Sequence, residues 1–205
     1  MIVLVDYGLG NLRSIIKMCN NLTDEIVISS SKEEINNSKK IILPGVGHFK
    51  TAIDNLNELD LLDVLNDNVL IKKKPVLGIC LGMQIMTSSS EEGYNVKGLG
   101  WVNGKTIRMN VTDRIPHIGW NSVNILKNNK LLSAKDISNF RNEFFFVHSY
   151  HVVLDKKENG LFETSYSQKK FISGFSKDNI YGVQFHPEKS YDIGEKLISN
   201  FINNV

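Results

Sequence analysis

Cysteine is scarce in this chain, and long apolar runs are absent. Only Cys19 and Cys80 occur among 205 residues, which is too few for a disulfide framework. No apolar stretch approaches the roughly 20 residues that a membrane-spanning helix needs. Residues 1–6 have neither a basic region nor a small-residue cleavage site, so we expect no signal peptide. We therefore expect a cytoplasmic protein with both thiols reduced and no shared disulfide.

A strong charge of either sign is also missing. The formal net charge is +2, too small to favour nucleic acid or an anionic membrane as a partner. Apolar residues make up 41% of the chain and charged residues 22%, which is typical of a soluble globular protein. Because there is no internal repeat and no linker-like segment, we expect one domain over residues 1–205.

The first half of the chain alternates strand-like and helix-like segments. The short apolar runs at 2–5 and 76–79 are typical of strands that are buried on both faces. Apolar residues at helical spacing follow each of these runs. Further strands are expected at 26–28 and 41–43, and helical segments through 52–59 and 61–69. This order predicts a mostly parallel sheet with right-handed crossovers.

The second half has a different pattern. Short strand-like segments are separated by turns rich in Asn, Gly and Lys. These segments lie at 101–109, 117–125, 143–153, 161–167, 171–176 and 180–185, and a last helix is expected at about 190–203. The prediction is therefore a single α/β domain with a mostly parallel central sheet flanked by helices, and antiparallel strands in its C-terminal half.

Cys80 is the candidate nucleophile. It lies between a predicted strand and a predicted helix, with Gly78 and Gly82 two residues away on either side. This Gly-x-Cys-x-Gly arrangement is the cysteine form of the nucleophile elbow, in which the turn exposes one side chain and strains its backbone. The helix start favours a thiolate, and the N–H of Leu81 is positioned to bind a developing oxyanion. An ordinary buried cysteine is the alternative, and Cys19, on the apolar stripe of its helix, fits that alternative better.

His186 is the candidate base. Pro187 cannot donate a ladder hydrogen bond, so we expect the strand before it to end at His186. Glu188 is close enough in sequence to orient the imidazole, as an acid does in hydrolase triads. His148 and His151 are predicted to share a strand, where residues three apart face opposite sides, so we expect no metal site there.

Residues 44–47, Pro-Gly-Val-Gly, follow the strand at 41–43 and are the candidate oxyanion loop. The two glycines allow the backbone to turn an N–H group toward the cleft that holds Cys80. By itself, however, this segment is equally consistent with an ordinary Pro-Gly turn.

Taken together, residues 78–84 and 184–188 resemble the signature segments of the class I glutamine amidotransferases. Four further segments narrow the resemblance to the glutaminase subunits of imidazole glycerol phosphate synthase: 6–11, 44–47, 116–121 and 146–151. The resemblance covers essentially the whole chain and implies a flavodoxin-like core. Two features depart from it. Residues 110–114 match nothing specific, and Ile115 and Ile118 stand where Val and Met are expected.

The resemblance implies a role for each matching residue. Cys80 attacks glutamine, His186 and Glu188 serve as base and orienting acid, and a glutamyl thioester is then hydrolysed. Val46 or Gly47, together with Leu81, supplies oxyanion donors. The implied glutamine-binding residues are Gln84, Glu92, His148, Ser149 and Tyr150. No cofactor and no metal ion are implied.

The resemblance also implies a partner. Ammonia passes to a (β/α)₈-barrel cyclase subunit, similar to HisF, in a heterodimer that makes imidazole glycerol phosphate and an aminoimidazole carboxamide ribotide in histidine biosynthesis. Asn11, Trp120 and Lys189 match positions at this interface. For Trp120 the alternative is core packing, which is the usual place of a lone Trp.

Three other functions remain open from the residues alone. The same glutaminase chemistry can serve a paralogous amidotransferase of surface-sugar biosynthesis. A non-catalytic binding module can keep the fold, although the intact Cys80, His186 and Glu188 argue against it. A cysteine peptidase can use the same sheet, but the His-Pro-Glu run favours an amidotransferase.

Overall fold

The structure is a computed structural model that describes residues 1–205, with fourteen strands and seven α-helices. The strands are β1 Ile2–Val5, β2 Ile26–Ser29, β3 Lys40–Leu43, β4 Val76–Ile79, β5 Thr87–Ser90, β6 Val96–Lys97, β7 Val102–Arg108, β8 His117–Ser122, β9 Asn124–Ile125, β10 Glu143–His148, β11 Tyr150–Leu154, β12 Gly160–Tyr166, β13 Lys169–Lys177 and β14 Ile180–Val183. The helices are α1 Leu12–Asn20, α2 Lys32–Asn37, α3 Phe49–Glu58, α4 Leu62–Asn66, α5 Leu81–Ile85, α6 Ala134–Asn139 and α7 Tyr191–Asn204. A π-helical turn follows α4 at Asp67–Ile71, and a 3₁₀ turn spans Pro187–Lys189.

The core of the molecule is a parallel sheet in the order β2-β1-β3-β4-β14. Antiparallel strands extend it through β13 and β11 to β7, and β5 and β6 complete that side. A separate two-stranded sheet pairs β8 with β10. The predicted fold class is thus confirmed. The expectation of an antiparallel strand at 180–185 is only partly right, because β14 pairs antiparallel with β13 but parallel with β4.

Helices cover both faces of the parallel sheet. On one face, α1 and α7 contribute Ile15, Cys19 and Leu197 to one apolar cluster. On the other face, α3 contributes Phe49 and Leu56 to a second cluster. Fully burying such an aliphatic or aromatic side chain contributes about 1.5–3 kcal/mol, so these stripes hold the helices to the sheet. None of the helices is long and apolar enough to cross a membrane.

Two predicted strands are each divided in two. The segment predicted at 143–153 breaks at Ser149 into β10, which pairs with β8, and β11, which lies between β7 and β13. The segment predicted at 117–125 likewise divides into β8 and β9. In each case the chain leaves one sheet for another, and the alternation of apolar residues carries no signal of such a switch.

Four short elements were not predicted: α2, α6, β5 and β6. α6 begins with a capping box, in which the Ser133 side chain accepts from the Asp136 N–H and the Asp136 carboxylate accepts from the Ser133 N–H. The Ser-x-x-Asp spacing is a pattern from which the start of this helix could have been predicted. β5 consists of Thr and Ser residues, so its sequence has little strand character.

Candidate active site

The turn between β4 and α5 carries Cys80 in a strained conformation. Its φ is 54° and its ψ is −109°, a combination that L-residues rarely adopt. A Cβ at Gly82 would lie 1.9 Å from the Leu43 carbonyl oxygen, and one at Gly78 would lie 2.7 Å from the Met83 nitrogen. Both glycines are therefore required by close packing of the elbow, as the sequence pattern predicted.

The candidate residues meet at one edge of the sheet because β3, β4 and β14 are parallel and end there. The N–H of Cys80 donates to the Val183 carbonyl oxygen at 2.8 Å, which ties the elbow to the end of β14. The predicted end of that strand at His186 is wrong, since β14 ends at Val183. The chain leaves the sheet there, and the N–H of His186 donates instead to Phe145 of β10 at 2.9 Å.

His186 and Glu188 form a buried pair. His186 Nδ1 lies 2.8 Å from Glu188 Oε1, and the two side chains are only 1% and 2% exposed. His186 Nε2, on the other side of the ring, is buried and has no hydrogen-bond partner. Burial alone would lower the pKa of His186, but the neighbouring Cys80 sulfur and the Glu188 carboxylate outweigh it and raise this pKa to about 10. The arrangement favours a positively charged imidazolium next to the Cys80 sulfur at neutral pH.

Ser190 holds the backbone of His186 in place. Its hydroxyl donates to the His186 carbonyl oxygen at 2.5 Å and accepts from the Phe145 N–H at 3.1 Å. His186 is therefore fixed to β10 both by its own N–H and through Ser190.

A cavity of about 240 Å³ opens beside the Cys80 sulfur. This volume suits one amino-acid-sized ligand rather than a polypeptide. Its lining consists of Val46, Gly47, Cys80, Leu81, Gln84, Glu92, Pro116, Val147, His148, Ser149 and Tyr150. Every residue proposed from the sequence for oxyanion or glutamine binding is in this set. Pro116 and Val147 are additional members.

Within the cavity, Gln84 and Glu92 are held by defined contacts. The Gln84 amide donates one hydrogen to the Tyr150 carbonyl oxygen at 2.9 Å and the other to Gln184 Oε1 at 3.0 Å. Since both hydrogens are used, Gln84 offers a ligand its carbonyl oxygen. Glu92 Oε2 accepts from the Phe49 N–H at 2.8 Å, so it also stabilises the start of α3.

The oxyanion loop differs from the expectation in one respect. The N–H of Leu81 does not point freely into the cavity but donates to the Gly45 carbonyl oxygen at 3.3 Å. Gly47 has a φ of 120°, which only glycine adopts without strain, and Val46 is 37% exposed. The loop must therefore release the Leu81 N–H before that group can bind an oxyanion.

Two of the three positions predicted at a partner interface lie near the His186 segment. Lys189 follows Glu188, and Trp120 packs on Phe145, whose carbonyl oxygen accepts from the His186 N–H. Trp120 is 43% exposed and stacks on Tyr191 with ring centroids 4.9 Å apart, so it is not a core residue. Lys189 lies 5.3 Å from the centroid of Phe145. Asn11 precedes α1 and makes no capping hydrogen bond with its side chain. The buried tryptophan of the chain is Trp101.

Cys19 has the environment of a structural cysteine. It is fully buried on α1, and burial, with a smaller contribution from the Glu188 charge, raises its pKa to about 12. The residue therefore remains a thiol. The structure contains no group of three or more His, Cys, Asp or Glu residues that could hold a metal ion.

Comparison with known proteins gives the family. A family model described as glutamine amidotransferase class-I matches residues 3–205. The imidazole glycerol phosphate synthase subunit HisH 2 of Methanococcus maripaludis is 50% identical over 204 residues, which cover 98% of each chain. The corresponding HisH subunit of Methanocaldococcus jannaschii is 44% identical, again over 98% of each chain. The chain belongs to the HisH family of class I glutamine amidotransferases.

Solved structures of other class I glutamine amidotransferases share the fold at low sequence identity. The structure of PurLQS from Thermotoga maritima superimposes with a TM-score of 0.73 at 16% identity, covering 98% of this chain and 97% of that one. The glutaminase domain of Trypanosoma brucei CTPS with bound acivicin gives 0.65 at 18% identity, covering all of this chain and 94% of that one. These similarities support the fold assignment alone.

Gln184 is a residue of this HisH-family site that sequence reasoning did not single out. It is fully buried, and its Nε2 lies 3.7 Å from the Cys80 sulfur. Its Oε1 accepts from Gln84, which fixes the orientation of the carboxamide. Gln184 thus connects a cavity-lining side chain to the sulfur. Its position two residues before His186 was the available signal, since a polar side chain in an otherwise apolar strand needs a partner.

His117 is the other residue that sequence reasoning did not assign. The Tyr150 carbonyl can only accept, so His148 Nδ1 donates to it at 2.8 Å. His148 Nε2 therefore accepts from His117 Nδ1 at 3.0 Å, and His117 Nε2 accepts from Asn121 at 3.2 Å. Burial lowers the pKa of His117 to about 4 and that of His148 to about 3. Both rings are neutral, and they hold the wall of the cavity at Tyr150.

Proposed function

We propose that the chain hydrolyses glutamine to glutamate and ammonia and passes the ammonia to a cyclase subunit of imidazole glycerol phosphate synthase. That subunit then makes imidazole glycerol phosphate and an aminoimidazole carboxamide ribotide in histidine biosynthesis. The observation that carries the proposal is the strained Cys80 at the end of β4, beside the buried His186–Glu188 pair. HisH relatives named as synthase subunits support the choice of complex.

The chemistry begins at the sulfur. The Cys80 thiolate attacks the carboxamide carbon of glutamine, and His186 Nε2 gives its proton to the departing ammonia. The glutamyl thioester is then attacked by water, with His186 as the base. Glu188 keeps the imidazole oriented and stabilises its charged form.

The oxyanion of each tetrahedral intermediate needs donors near the sulfur. We assign this role to the N–H of Leu81 and to a backbone N–H at Val46 or Gly47. In the arrangement described above, Leu81 donates to Gly45. The active arrangement therefore requires the loop to turn. Losing one such donor typically costs about 10²–10³ in turnover.

The side chains and backbone that line the cavity bind the substrate in this proposal. Gln84 presents its carbonyl oxygen and Glu92 its carboxylate, both suited to the amide or ammonium hydrogens of glutamine. The backbone at Ser149 and Tyr150, fixed by His148, forms the opposite wall. The small volume of the cavity disfavours the peptidase alternative, because a polypeptide substrate needs an extended groove.

The partner subunit docks, in this proposal, on the face that carries Trp120, Lys189 and Asn11. Trp120 and Tyr191 are exposed aromatic rings that stack on each other, as expected for an interface anchor. We take the partner to be a (β/α)₈-barrel cyclase and the complex to be a cytoplasmic heterodimer. Co-purification tests this choice, since recovery of an ATP-dependent sugar amidotransferase instead would favour the surface-sugar alternative.

The experiment on Cys80 separates the glutaminase from the synthase reaction. In the complex, Cys80→Ala should abolish synthesis driven by glutamine, because no thioester can form. Synthesis driven by added ammonium salt should persist, because the cyclase site is unchanged. Cys19→Ala is the matched control and should retain both activities. If Cys80→Ala loses both activities, or keeps both, the assignment of the nucleophile is wrong.

A further inference from the structure

Tyr7 is a buried polar residue that the proposed mechanism does not use. It follows β1, has no exposed surface, and its hydroxyl donates to the Pro44 carbonyl oxygen at the start of the oxyanion loop. The structure gives that carbonyl no other donor. Asn55 of α3 donates to the Tyr7 carbonyl oxygen at 2.9 Å and so fixes the Tyr7 backbone.

The same hydroxyl also confines the next residue of the loop. A Cβ at Gly45 would lie 2.6 Å from the Tyr7 oxygen, 2.8 Å from Leu81 Cβ and 2.9 Å from the Gly82 nitrogen. Gly45 therefore lies between Tyr7 and the nucleophile elbow in a space that leaves no room for a side chain. Burial raises the pKa of the Tyr7 hydroxyl, and the charge of Cys80 raises it further, so the group stays a donor and lies within electrostatic reach of the sulfur.

We propose that Tyr7 is a positioning residue for the oxyanion loop, whose hydroxyl anchors Pro44 so that only the residues after it turn. The inference rests on the proposed glutaminase function and extends it to a residue that never touches the substrate. The anchor is strong, because a buried carbonyl oxygen that loses its donor is left without a hydrogen bond in a place that water does not reach. The bond from Leu81 to Gly45, at 3.3 Å, is by contrast long and readily exchanged.

The oxyanion loop therefore has a fixed start and a part that moves. Pro44 stays fixed, while the glycines at 45 and 47 supply the backbone freedom that moves the N–H groups of Val46 and Gly47. Without the anchor, the start of the loop shifts, and the donors no longer reach the oxyanion. Binding of glutamine, which depends on Gln84, Glu92 and the backbone at 149–150, is unaffected.

The test compares Tyr7→Phe with Tyr181→Phe in the complex with the synthase partner. Tyr181 is also largely buried, but its ring packs on Phe201, away from the loop, so its variant controls for the loss of a tyrosine hydroxyl at another site. For Tyr7→Phe, the kcat of glutamine hydrolysis should fall about tenfold or more, as for a displaced oxyanion donor. KM should stay within about twofold, since ground-state binding is retained. Tyr181→Phe should keep both constants.

Two further measurements show where the effect lies. Alkylation of Cys80 by iodoacetamide needs no oxyanion stabilisation and should proceed in Tyr7→Phe as in the unaltered protein. Amide hydrogen exchange at residues 45–47 should be faster in Tyr7→Phe than in Tyr181→Phe. A Tyr7→Phe variant with unchanged kcat, or with its loss confined to KM, would overturn the inference. If the unaltered complex hydrolyses no glutamine, the proposed function fails instead, and unchanged exchange at 45–47 would still overturn the role of Tyr7.

Discussion

At the scale of single residues, the site depends on how Glu188 shapes the titration of His186. The carboxylate is buried, and only one of its oxygens, Oε1, has a hydrogen-bond partner, which is the imidazole. The Cys80 sulfur is the other neighbour that raises the pKa of this imidazole. Together, the carboxylate and the sulfur raise the pKa of His186 well above that of a free histidine.

Glu188→Gln tests this arrangement through the pH dependence of glutamine hydrolysis. Removing the carboxylate removes one of the causes that raise the pKa of His186, so the imidazolium should lose its proton at a lower pH. We expect the alkaline limb of the kcat profile to move toward neutral pH and kcat to fall about tenfold or more. An alkaline limb that does not move would show that Glu188 does not control the titration of His186.

The triad residues and the elbow were the parts of the site that the sequence predicted best. The spacing of Gly78, Cys80 and Gly82 carries its own steric reason, which the Cβ contacts bear out. Gln184 and His117 were missed as functional residues because their roles depend on contacts with distant segments. The hydrogen bond from Leu81 to Gly45 was equally invisible, since a sequence pattern does not specify which carbonyl an N–H group faces.

At the scale of elements, the small β8–β10 sheet supports one wall of the cavity. Its two strands bring His117 opposite His148, and the ordered donation through these rings ends at the Tyr150 carbonyl. Both histidines must be neutral for this series of hydrogen bonds to form, because a protonated His148 could not accept from His117. Protonation of these histidines at low pH should therefore destabilise the sheet.

This requirement predicts acid-sensitive stability. In the unfolded chain both histidines take up a proton below about pH 6.5. In the folded protein their pKa values are lower, about 4 for His117 and about 3 for His148, so they stay neutral to lower pH. The free energy of unfolding should therefore fall as the pH falls through this window. Each histidine contributes a slope of about 1.4 kcal/mol per pH unit within the window.

Denaturant unfolding of His117→Asn at pH 7 and pH 5 checks this prediction against a matched control. The variant lacks one of the buried histidines that resist protonation, so its stability should depend less steeply on pH than that of the unaltered protein. His48→Asn replaces an exposed histidine at the start of α3 and should keep the original slope. A His117→Asn variant with an unchanged slope would contradict the neutral histidine pair.

The parallel direction of the first four strands followed from the sequence, but the place of β14 in the parallel sheet and the sheet changes of the second half did not. The apolar runs at 2–5 and 76–79 are long enough to identify buried strands, and the helices between them fix a parallel direction. Segments 117–125 and 143–153 each cross from one sheet to another within a residue or two. Their pattern continues across the break, so only the pairing partners reveal it.

At the scale of the whole molecule, the site exists because three distant segments end at the same edge of one parallel sheet. The loop after β3, the elbow after β4 and the segment after β14 bring Gly47, Cys80 and His186 together. The β8–β10 sheet then closes the cavity and holds His186 from the other side. The protein thus combines a common sheet architecture with a small cavity whose walls come from both halves of the chain.

The most direct measurement is covalent labelling of the complex with a glutamine-mimicking diazoketone, followed by mass spectrometry of the peptides. Cys19 and Cys80 are the only two thiols, and only Cys80 lies beside the cavity. The label should appear on Cys80 and not on Cys19, and added glutamine should slow it. An unlabelled Cys80, or labelling that glutamine does not slow, would contradict the proposal that this cavity binds glutamine next to its nucleophile.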